Sequence, residues 1–464
     1  MGEARRARCG ALRSAPTFRV TNKSLFAVKR AASNPGPGPV SRRPGYTPAV
    51  TPEIRSIVPD ELLDWVETLH VVFHADEPAA EEAAYRRDVL DQDLGRTLAA
   101  VDTERGAHRV AGTLFSYPAE LTLPGGTCLI ADAVTAITVL PTHRRRGLLT
   151  RLLGTDLRAA RERGEPAAIL IAAEYPIYGR FGFGPATEQA TYTVATAVAE
   201  FRRSPDGAVD FLPPAEMREV APRIFDQFRR RRPGQIDRQL ARWDTRLGLR
   251  ESPWGRPDHP LRCAVFTDPQ RDIQGYLLYR VDGTWDRRLP TGKLEVVELM
   301  ALTPDAYLGL WRYCCEVDLV AEVTAGMRCI DEPLPWLLHN PRAALPRTQR
   351  ADLLWLRPLD VPATLAARRY ASAGRLVVDV SDPLNLCAGR FVIEGSPDGA
   401  TCRPTDASAD LRMGIAALGS LVLGGANLHV MAEAGAIDEQ RPGALAAADA
   451  LFHWPVTPWC STFF

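Results

Sequence analysis

The sequence has no run approaching the roughly 18 apolar residues that a membrane-crossing helix needs, so no membrane partner is expected. It has no Cys-x-x-Cys pair among its nine cysteines, and Cys314 and Cys315 are adjacent. An odd count without pairing spacing argues for free thiols in a reducing compartment rather than a disulfide framework, and no metal is expected. It has no Gly-x-x-x-x-Gly-Lys-Ser/Thr loop and no Gly-x-Gly-x-x-Gly fingerprint, which removes the usual nucleoside-triphosphate and dinucleotide sites. Arg5 and Arg6 are not followed by an apolar segment, so a secretion signal is not expected and the protein is read as cytoplasmic. No repeat of solenoid period is visible.

Net charge is also absent, but unevenly. Lys plus Arg and Asp plus Glu both number 56. Residues 1–50 hold ten of the bases and one acid, Glu3, leaving 46 bases against 55 acids, a net of −9, for the rest. An acidic body argues against nucleic acid as a partner and is compatible with a cationic substrate. The first 50 residues, which include SNPGPGPVSRRPGYTP, lack apolar content for a core and are expected to be a disordered basic tail. At 464 residues the chain should hold about three domains.

The richest stretch is Ala136 to Gly164, AITVLPTHRRRGLLTRLLGTDLRAARERG. Ile137 to Leu140 is β-branched and strand-like. Pro141 ends the run, having no N–H for a ladder. After the basic turn Arg144–Gly147, apolar residues fall at helical spacing: Leu148, Leu149, Leu152, Leu153, Leu157 and Ala160. Strand, basic glycine turn, helix is a way to offer unpaired backbone N–H groups and a helix dipole to an anion such as a pyrophosphate. The bland alternative is a solvated arginine turn before a core helix.

That turn resembles the acyl-CoA loop of the GNAT acetyltransferases, Arg/Gln-x-x-Gly-x-Gly/Ala. Arg144 and Gly147 are in place, and Leu149 departs from the small last residue. Taken with IYGRFGFGPAT and the terminal TFF, AITVLPTHRRRGLLTRLL resembles the enhanced intracellular survival (Eis) family. These are GNAT enzymes that acetylate aminoglycosides and other amines. The resemblance spans roughly residues 51–464, with its strongest motifs in the first third.

From Glu53 strands and helices alternate. Glu53–Val58, Thr97–Val101, Arg109–Tyr117, Cys128–Val139 and Ala167–Ala172 read as strands, and Pro59–Phe73 as a helix. A second unit from about Phe201 to Leu356 has a helix at Arg238–Leu247 and strands at Arg262–Phe266, Gly275–Val281 and Leu294–Leu302. A helix at Pro304–Val317 and a strand at Asp318–Thr324 complete it. Between Leu302 and that helix there is only Thr303 and Pro304, so a CoA site is not expected there. The last unit shows a helix at Val361–Arg369, strands at Arg375–Val380, Arg390–Glu394 and Ala400–Pro404, and a strand with a helix over Leu411–Gly424. The family likeness implies a sterol-carrier-like fold for it. The fold class is therefore α/β (α+β): tandem GNAT-like mixed-sheet domains at 51–200 and 201–357, then a sterol-carrier-like domain at 358–464.

Acyl transfer from a thioester to an amine requires a held thioester, a deprotonated amine, a stabilised oxyanion and a protonated thiolate. The resemblance implies that backbone groups of Ile137, Thr138 and Val139 hold the pantetheine arm of acetyl-CoA. It assigns the pyrophosphate to Arg145, Arg146, Gly147, Leu148, Leu149 and Thr150, and further CoA contacts to Ala173 and Glu174. Tyr178 matches the general acid. A free tyrosine near 10 and a thiol near 8.5 make full proton transfer uphill by roughly 2 kcal/mol, so Tyr178 is expected to hydrogen-bond the sulfur instead. Tyr175 is read as surface or wall packing. The likeness also assigns the base to the terminal carboxylate, here on Phe464. Some relatives carry an acid before the last residue, where this chain has Phe463, which weakens broad affinity for polycations. Asp76, Glu77, Trp65 and Phe73 are candidates for the amine pocket, with helix-end solvation or core packing as the alternatives.

The expectation is an acetyl-CoA-dependent N-acetyltransferase of aminoglycosides or related polyamine-like molecules, forming a homohexamer as the family does. Two rivals are a protein-lysine acetyltransferase of the same fold and a non-catalytic CoA- or lipid-binding scaffold.

Overall fold

The computed structural model describes residues 52–75, 78–90, 94–103, 109–252, 257–346 and 350–464. The expected tail at 1–50 and the pocket candidates Asp76 and Glu77 lie outside the described residues.

The first unit is built on β1 (Glu53–Ser56), β2 (Thr97–Asp102), β3 (Arg109–Thr122), β4 (Cys128–Val139), β5 (Ala167–Ile171) and β6 (Gly184–Pro185). Its helices are α1 (Leu62–Phe73), α2 (Ala79–Leu90), α3 (Leu148–Glu162) and the single turn α4 (Tyr175–Tyr178). The sheet has seven strands. β1 to β4 pair antiparallel in chain order, and β4 pairs β5 in parallel. That parallel step needs a crossover, which α3 supplies. Alternation sorts the faces: Ala131, Ala133, Ala167 and Ile169 pack with Trp65, Val66 and Leu69 of α1, whereas Val134, Ala168 and Leu170 pack under Leu148, Leu152, Leu153 and Leu157 of α3.

The second sheet has eight strands, and repeats the motif. Strand Gly292–Ala301, helix Pro304–Glu316 and strand Val320–Arg328 form the same parallel crossover. A third, five-stranded sheet carries the helices Val361–Ala367, Ile415–Leu421, Leu428–Glu433 and Ala444–Phe452.

Two strands sit across the boundaries expected at 200 and 357. β7 (Glu188–Ala195) pairs Val320–Arg328 in the second sheet, and Leu354–Pro358 inserts between β5 and β6 in the first. Short strands pair by tertiary contact, which local pattern does not encode. Arg357 on the inserted strand is fully buried and bonds Asp382 of the last unit at 2.8 Å, so the three units interlock.

Several helices were not expected, among them Leu428–Glu433 and Ala444–Phe452 of the last unit. α2, AAEEAAYRRDVL, has no apolar stripe to reveal it. Helix Pro214–Arg229 begins at a proline and contains Pro222, which reads locally as loop although proline is well suited to the first helical turn. The other expected elements lie within a few residues of those observed.

Candidate active site

β4 is broken by a bulge where chemistry was expected. The β3 register passes from Thr113–Thr138 to Phe115–Thr135, so Ala136 and Ile137 together face Leu114. Ala136 takes a left-handed φ of 51°. The Thr113 hydroxyl donates to the Ala136 carbonyl at 2.7 Å and lies 2.6 Å from the Thr138 hydroxyl. Meanwhile β4 and β5 are in register only from Ala131–Ala167 to Val134–Leu170, and β5 stops at Ile171. The strands therefore part, and among the described residues β4 beyond Val134 has no strand beside it on that side. The half-buried side chains of Ile137 and Val139 pack into the α3 core, which leaves their backbone as the group to offer a ligand.

The turn that follows is basic and open. Arg144, Arg145, Arg146 and Gly147 are exposed, and Arg146 donates to the Thr142 carbonyl at 3.3 Å. Arg145 and Gly147 have φ of 64° and 75°. Gly147 caps α3 without any side-chain hydrogen bond, and a Cβ placed there would meet nothing within 4 Å. Glycine is thus demanded by conformation and not by crowding. The first N–H groups of α3, at Leu148, Leu149 and Thr150, have no intrahelical acceptor, and no side chain caps the helix. In the second unit the equivalent helix start is closed, because Thr303 Oγ1 accepts from the Ala306 N–H at 3.2 Å and Pro304 has no N–H.

A cavity of about 820 Å³ opens where β4 and β5 part. Val134 to Ile137 and Leu170 to Ala173 form one wall, with Tyr178 beside them. Leu69, His70 and Phe73 of α1 and Glu82, Tyr85 and Arg86 of α2 form a second. Arg238, Arg242, Thr245 and Arg246 from the second unit form a third, and Thr462, Phe463 and Phe464 close it. Glu174 is exposed beside this wall.

Tyr178 is buried, edge-on to Phe183 at 6.4 Å. Burial, with a contribution from the charge of Glu174, pushes its phenol up to about 12. Tyr175 is exposed, stacks edge-on to Trp355 at 4.8 Å and does not line the cavity.

The chain end is tied to the second unit and delivered to the first. The Trp459 N–H donates to the Pro233 carbonyl at 2.9 Å, and its indole N–H to Met327 at 2.8 Å. Ser461 Oγ lies 2.8 Å from Gln235 Oε1. Arg238 donates to Thr462 Oγ1 at 2.8 Å and to the Ser461 carbonyl at 3.1 Å, and Arg242 to the Phe463 carbonyl at 3.3 Å. Behind them Glu298 bonds Arg238 at 2.8 Å and Arg246 at 3.1 Å. Burial pushes the Glu298 carboxyl up, but the two guanidiniums outweigh it and hold it at about 2.

Of the expected pocket residues, Phe73 lines the cavity, whereas Trp65 is fully buried and donates its indole N–H to the Leu98 carbonyl at 2.9 Å. Sequence reasoning missed His70, Glu82 and the arginine row. His70 Nε2 lies 2.6 Å from Glu82, whose other oxygen meets Arg86 at 2.6 Å. The row had a readable signal, since Arg238, Arg242 and Arg246 recur every four residues around the helix Leu240–Arg246.

Comparison with known proteins agrees with this architecture. Residues 53–186 and 234–358 each match a family described as an acetyltransferase (GNAT) domain, and 361–461 match a sterol carrier protein domain. An uncharacterized N-acetyltransferase of Streptomyces griseus is 39% identical over 423 residues, covering 89% of this chain and 99% of that one. The N-acetyltransferase Eis of Mycobacterium tuberculosis is 36% identical over 353 residues, covering 74% of this chain and 83% of its own. The crystal structure of Eis1 from Mycobacterium abscessus superposes with a TM-score of 0.76 at 32% identity, over 89% of this chain and 100% of that one.

Proposed function

Since the chain belongs to the Eis family of GNAT N-acetyltransferases, enzymes whose fold implies acetyl-CoA as co-substrate, we propose that acetyl transfer to an amine takes place in the cavity between β4 and the chain end. One observation carries this reading. Tyr178, the β4 bulge and Phe464 line a single cavity, although they come from opposite ends of the sequence.

The residues divide the work as follows. The α3 N-terminus, from Gly147 to Thr150, with Arg145 and Arg146, holds the pyrophosphate of acetyl-CoA. The free edge of β4 at Ile137, Thr138 and Val139 holds the pantetheine arm as an added strand would be held. Ala173 and Glu174 flank it. The amine nitrogen forms a bond to the acetyl carbon, and the carbon–sulfur bond breaks after a tetrahedral oxyanion. The proton from the amine goes to the Phe464 carboxylate, directly or through one water. With its phenol near 12, Tyr178 lies about 3.5 pKa units above a free thiol, so complete transfer of its proton is uphill by roughly 5 kcal/mol. It therefore acts as a hydrogen-bond donor to the sulfur as charge builds there.

We assign this chemistry to the unit at 51–200 together with the chain end of 358–464, and none to 201–357. Aminoglycosides or related polyamines are the acceptors that the family likeness implies, in a cytoplasmic homohexamer. Among the described residues no helix is long and apolar enough to cross a membrane. Acetyl-CoA turnover with an aminoglycoside, with a lysine peptide and with no acceptor is the test. Turnover with the peptide alone would favour the protein-lysine reading, and no turnover with bound CoA would favour the scaffold.

A further inference from the structure

Chain ends usually fray, but here Trp459, Cys460, Ser461 and Thr462 are buried. They lie along a ribbon of the second unit, Pro233 to Asp237. On one side that ribbon bonds β3 of the first unit. The Gly234 N–H donates to the Thr122 carbonyl and the Thr122 N–H to the Gln235 carbonyl, both at 2.9 Å. On its other side the ribbon bonds the chain end. The Pro233 carbonyl accepts from the Trp459 N–H, and the buried Gln235 side chain meets Ser461. The second unit thus sets the place of the chain end relative to the sheet that carries the β4 bulge.

The Arg238 side chain, next along the ribbon, is buried. Its guanidinium lies over the ring of Phe225 at 3.9 Å and over that of Trp243 at 5.0 Å. Glu298 pairs with it at 2.8 Å and also accepts from the Tyr276 hydroxyl at 2.8 Å. A buried ion pair adds little net stability, because desolvation offsets the attraction. Stability alone therefore does not account for this one. What the arrangement does is aim the remaining donors of Arg238 at the chain end, Nε at Thr462 Oγ1 and Nη2 at the Ser461 carbonyl. Arg242 then takes the Phe463 carbonyl. These ties fix the peptide units just before Phe464, and its ring is set against Tyr117. With both sides of the last residue held, its carboxylate has little freedom left.

We propose that the second unit, which contributes no group to the chemistry, is the clamp that positions the base: Arg238 and Arg242 hold the chain end so that the Phe464 carboxylate stays within reach of the acceptor amine. This rests on the acetyltransferase reading with its terminal base, and deepens it. Both arginines are positioning residues that act through the carboxylate. Arg242→Met and Thr462→Val each remove one tie and leave the buried pair of Arg238 and Glu298 intact, so both variants should fold. In each, kcat should fall roughly tenfold or more, the scale of a misplaced catalytic group. KM for acetyl-CoA and CoA affinity by calorimetry should stay as they are. Arg242→Lys keeps a cationic donor and should regain part of the loss. A second readout needs no turnover. Carboxypeptidase A, which cleaves off an aromatic last residue, should release Phe464 from both variants roughly tenfold faster than from the unaltered chain. The deciding measurement repeats both substitutions in a chain lengthened by one glycine after Phe464. There the carboxylate is already out of place, so neither substitution should cost more than about twofold. The same fold-loss in both backgrounds, or release of Phe464 at the unaltered rate, would overturn the clamp and leave acetyl transfer by a terminal base intact. Full turnover in the lengthened chain without either substitution would instead sink the terminal base, and the clamp with it.

Discussion

The ring of Phe464, the last residue of the chain, stands edge-on to Tyr117 of β3 with 6.0 Å between centroids. The third unit thereby ends on the sheet of the first, having crossed the second on the way through Gln235, Arg238 and Arg242. Tyr117 is itself buried, and its phenol is pushed up to about 12, chiefly by burial. The contact is therefore between two rings, with no ionised phenolate near the terminal carboxylate at neutral pH.

Replacing Gly147 by Asp should lower CoA affinity at least tenfold, which corresponds to about 1.4 kcal/mol. The left-handed φ of 75° disfavours any side chain. The added carboxylate would also stand in the open space before α3, where a pyrophosphate would be repelled. Calorimetry with CoA measures this, and unchanged affinity in a folded variant would refute the pyrophosphate site.

One CoA per chain should bind at saturation. In the second crossover helix Thr303 occupies the Ala306 donor and Pro304 has none, which leaves fewer first-turn donors than α3 offers. A calorimetric stoichiometry of two would show the second unit to be a CoA site after all.

The elements around the basic turn of the first unit were legible because their signals are local. Ile137 to Leu140 is β-branched, Pro141 stops it, and the leucines after Gly147 keep helical spacing; each follows from neighbours within a few residues. What was not legible depends on partners far along the chain. Nothing near Leu354 says that it will lie beside Ile171, and nothing near Glu188 says that this strand will leave the first sheet for the second. The same applies to the site. Tyr178 and Phe464 were named through a family likeness, not through any physical property of a tyrosine or of a chain end. Arg242 stands in a four-residue repeat that went unread, because its meaning needed the cavity that three units build together.

Tyr178→Phe should cut kcat by roughly 10- to 100-fold, at or below the usual scale for removing a proton-transfer partner, while KM for acetyl-CoA changes little. Because burial holds the phenol near 12, the hydroxyl stays protonated through the whole working range. Its loss should therefore lower the rate at every pH between 6 and 10, by this reasoning, without moving the inflections of the pH–rate curve. A lost alkaline inflection near pH 9 would mean that Tyr178 titrates in the working range and is not the constant donor described.

Asp132→Asn should flatten the dependence of stability on pH. Asp132 of β4 is fully buried beside Asp156 of α3, and Ser116 donates to Asp156 at 2.8 Å. Burial first, then the charge of Asp156, raise the Asp132 carboxyl well above its ordinary value, despite Arg96 at 3.4 Å and Arg163 at 3.3 Å. The folded state thus binds more protons than the unfolded state from about pH 4 up to the raised pKa, and stability falls as pH rises through that window. Asn cannot ionise, so its melting temperature should fall less between pH 5 and pH 8 than that of the unaltered protein. Parallel melting curves across that range would mean that Asp132 is ionised in the fold, paired with Arg96 and Arg163.

The most exposed prediction concerns the terminal carboxylate. Adding one glycine after Phe464 leaves every ring and hydrogen bond of the chain end in place and moves only the carboxylate, by up to about 3.5 Å. If that group takes the proton from the amine, kcat should fall roughly 100-fold or more, because a base must stand within hydrogen-bond reach or one water away. Deleting Phe464 should have the same effect on kcat, but it also removes the pairing with Tyr117 and about 0.5–1.5 kcal/mol with it. The added glycine is therefore the cleaner variant, and its melting temperature and CoA affinity should match those of the unaltered protein. A purification tag at the C-terminus should inactivate the enzyme, and one at the N-terminus should not. Full activity in a C-terminally tagged form would remove Phe464 from the chemistry. His70 would then be the group to test, since it lines the same cavity and Glu82 holds its Nε2 at 2.6 Å. In that case His70→Gln should abolish turnover while the added glycine leaves it unchanged, and the two variants together decide which group is the base.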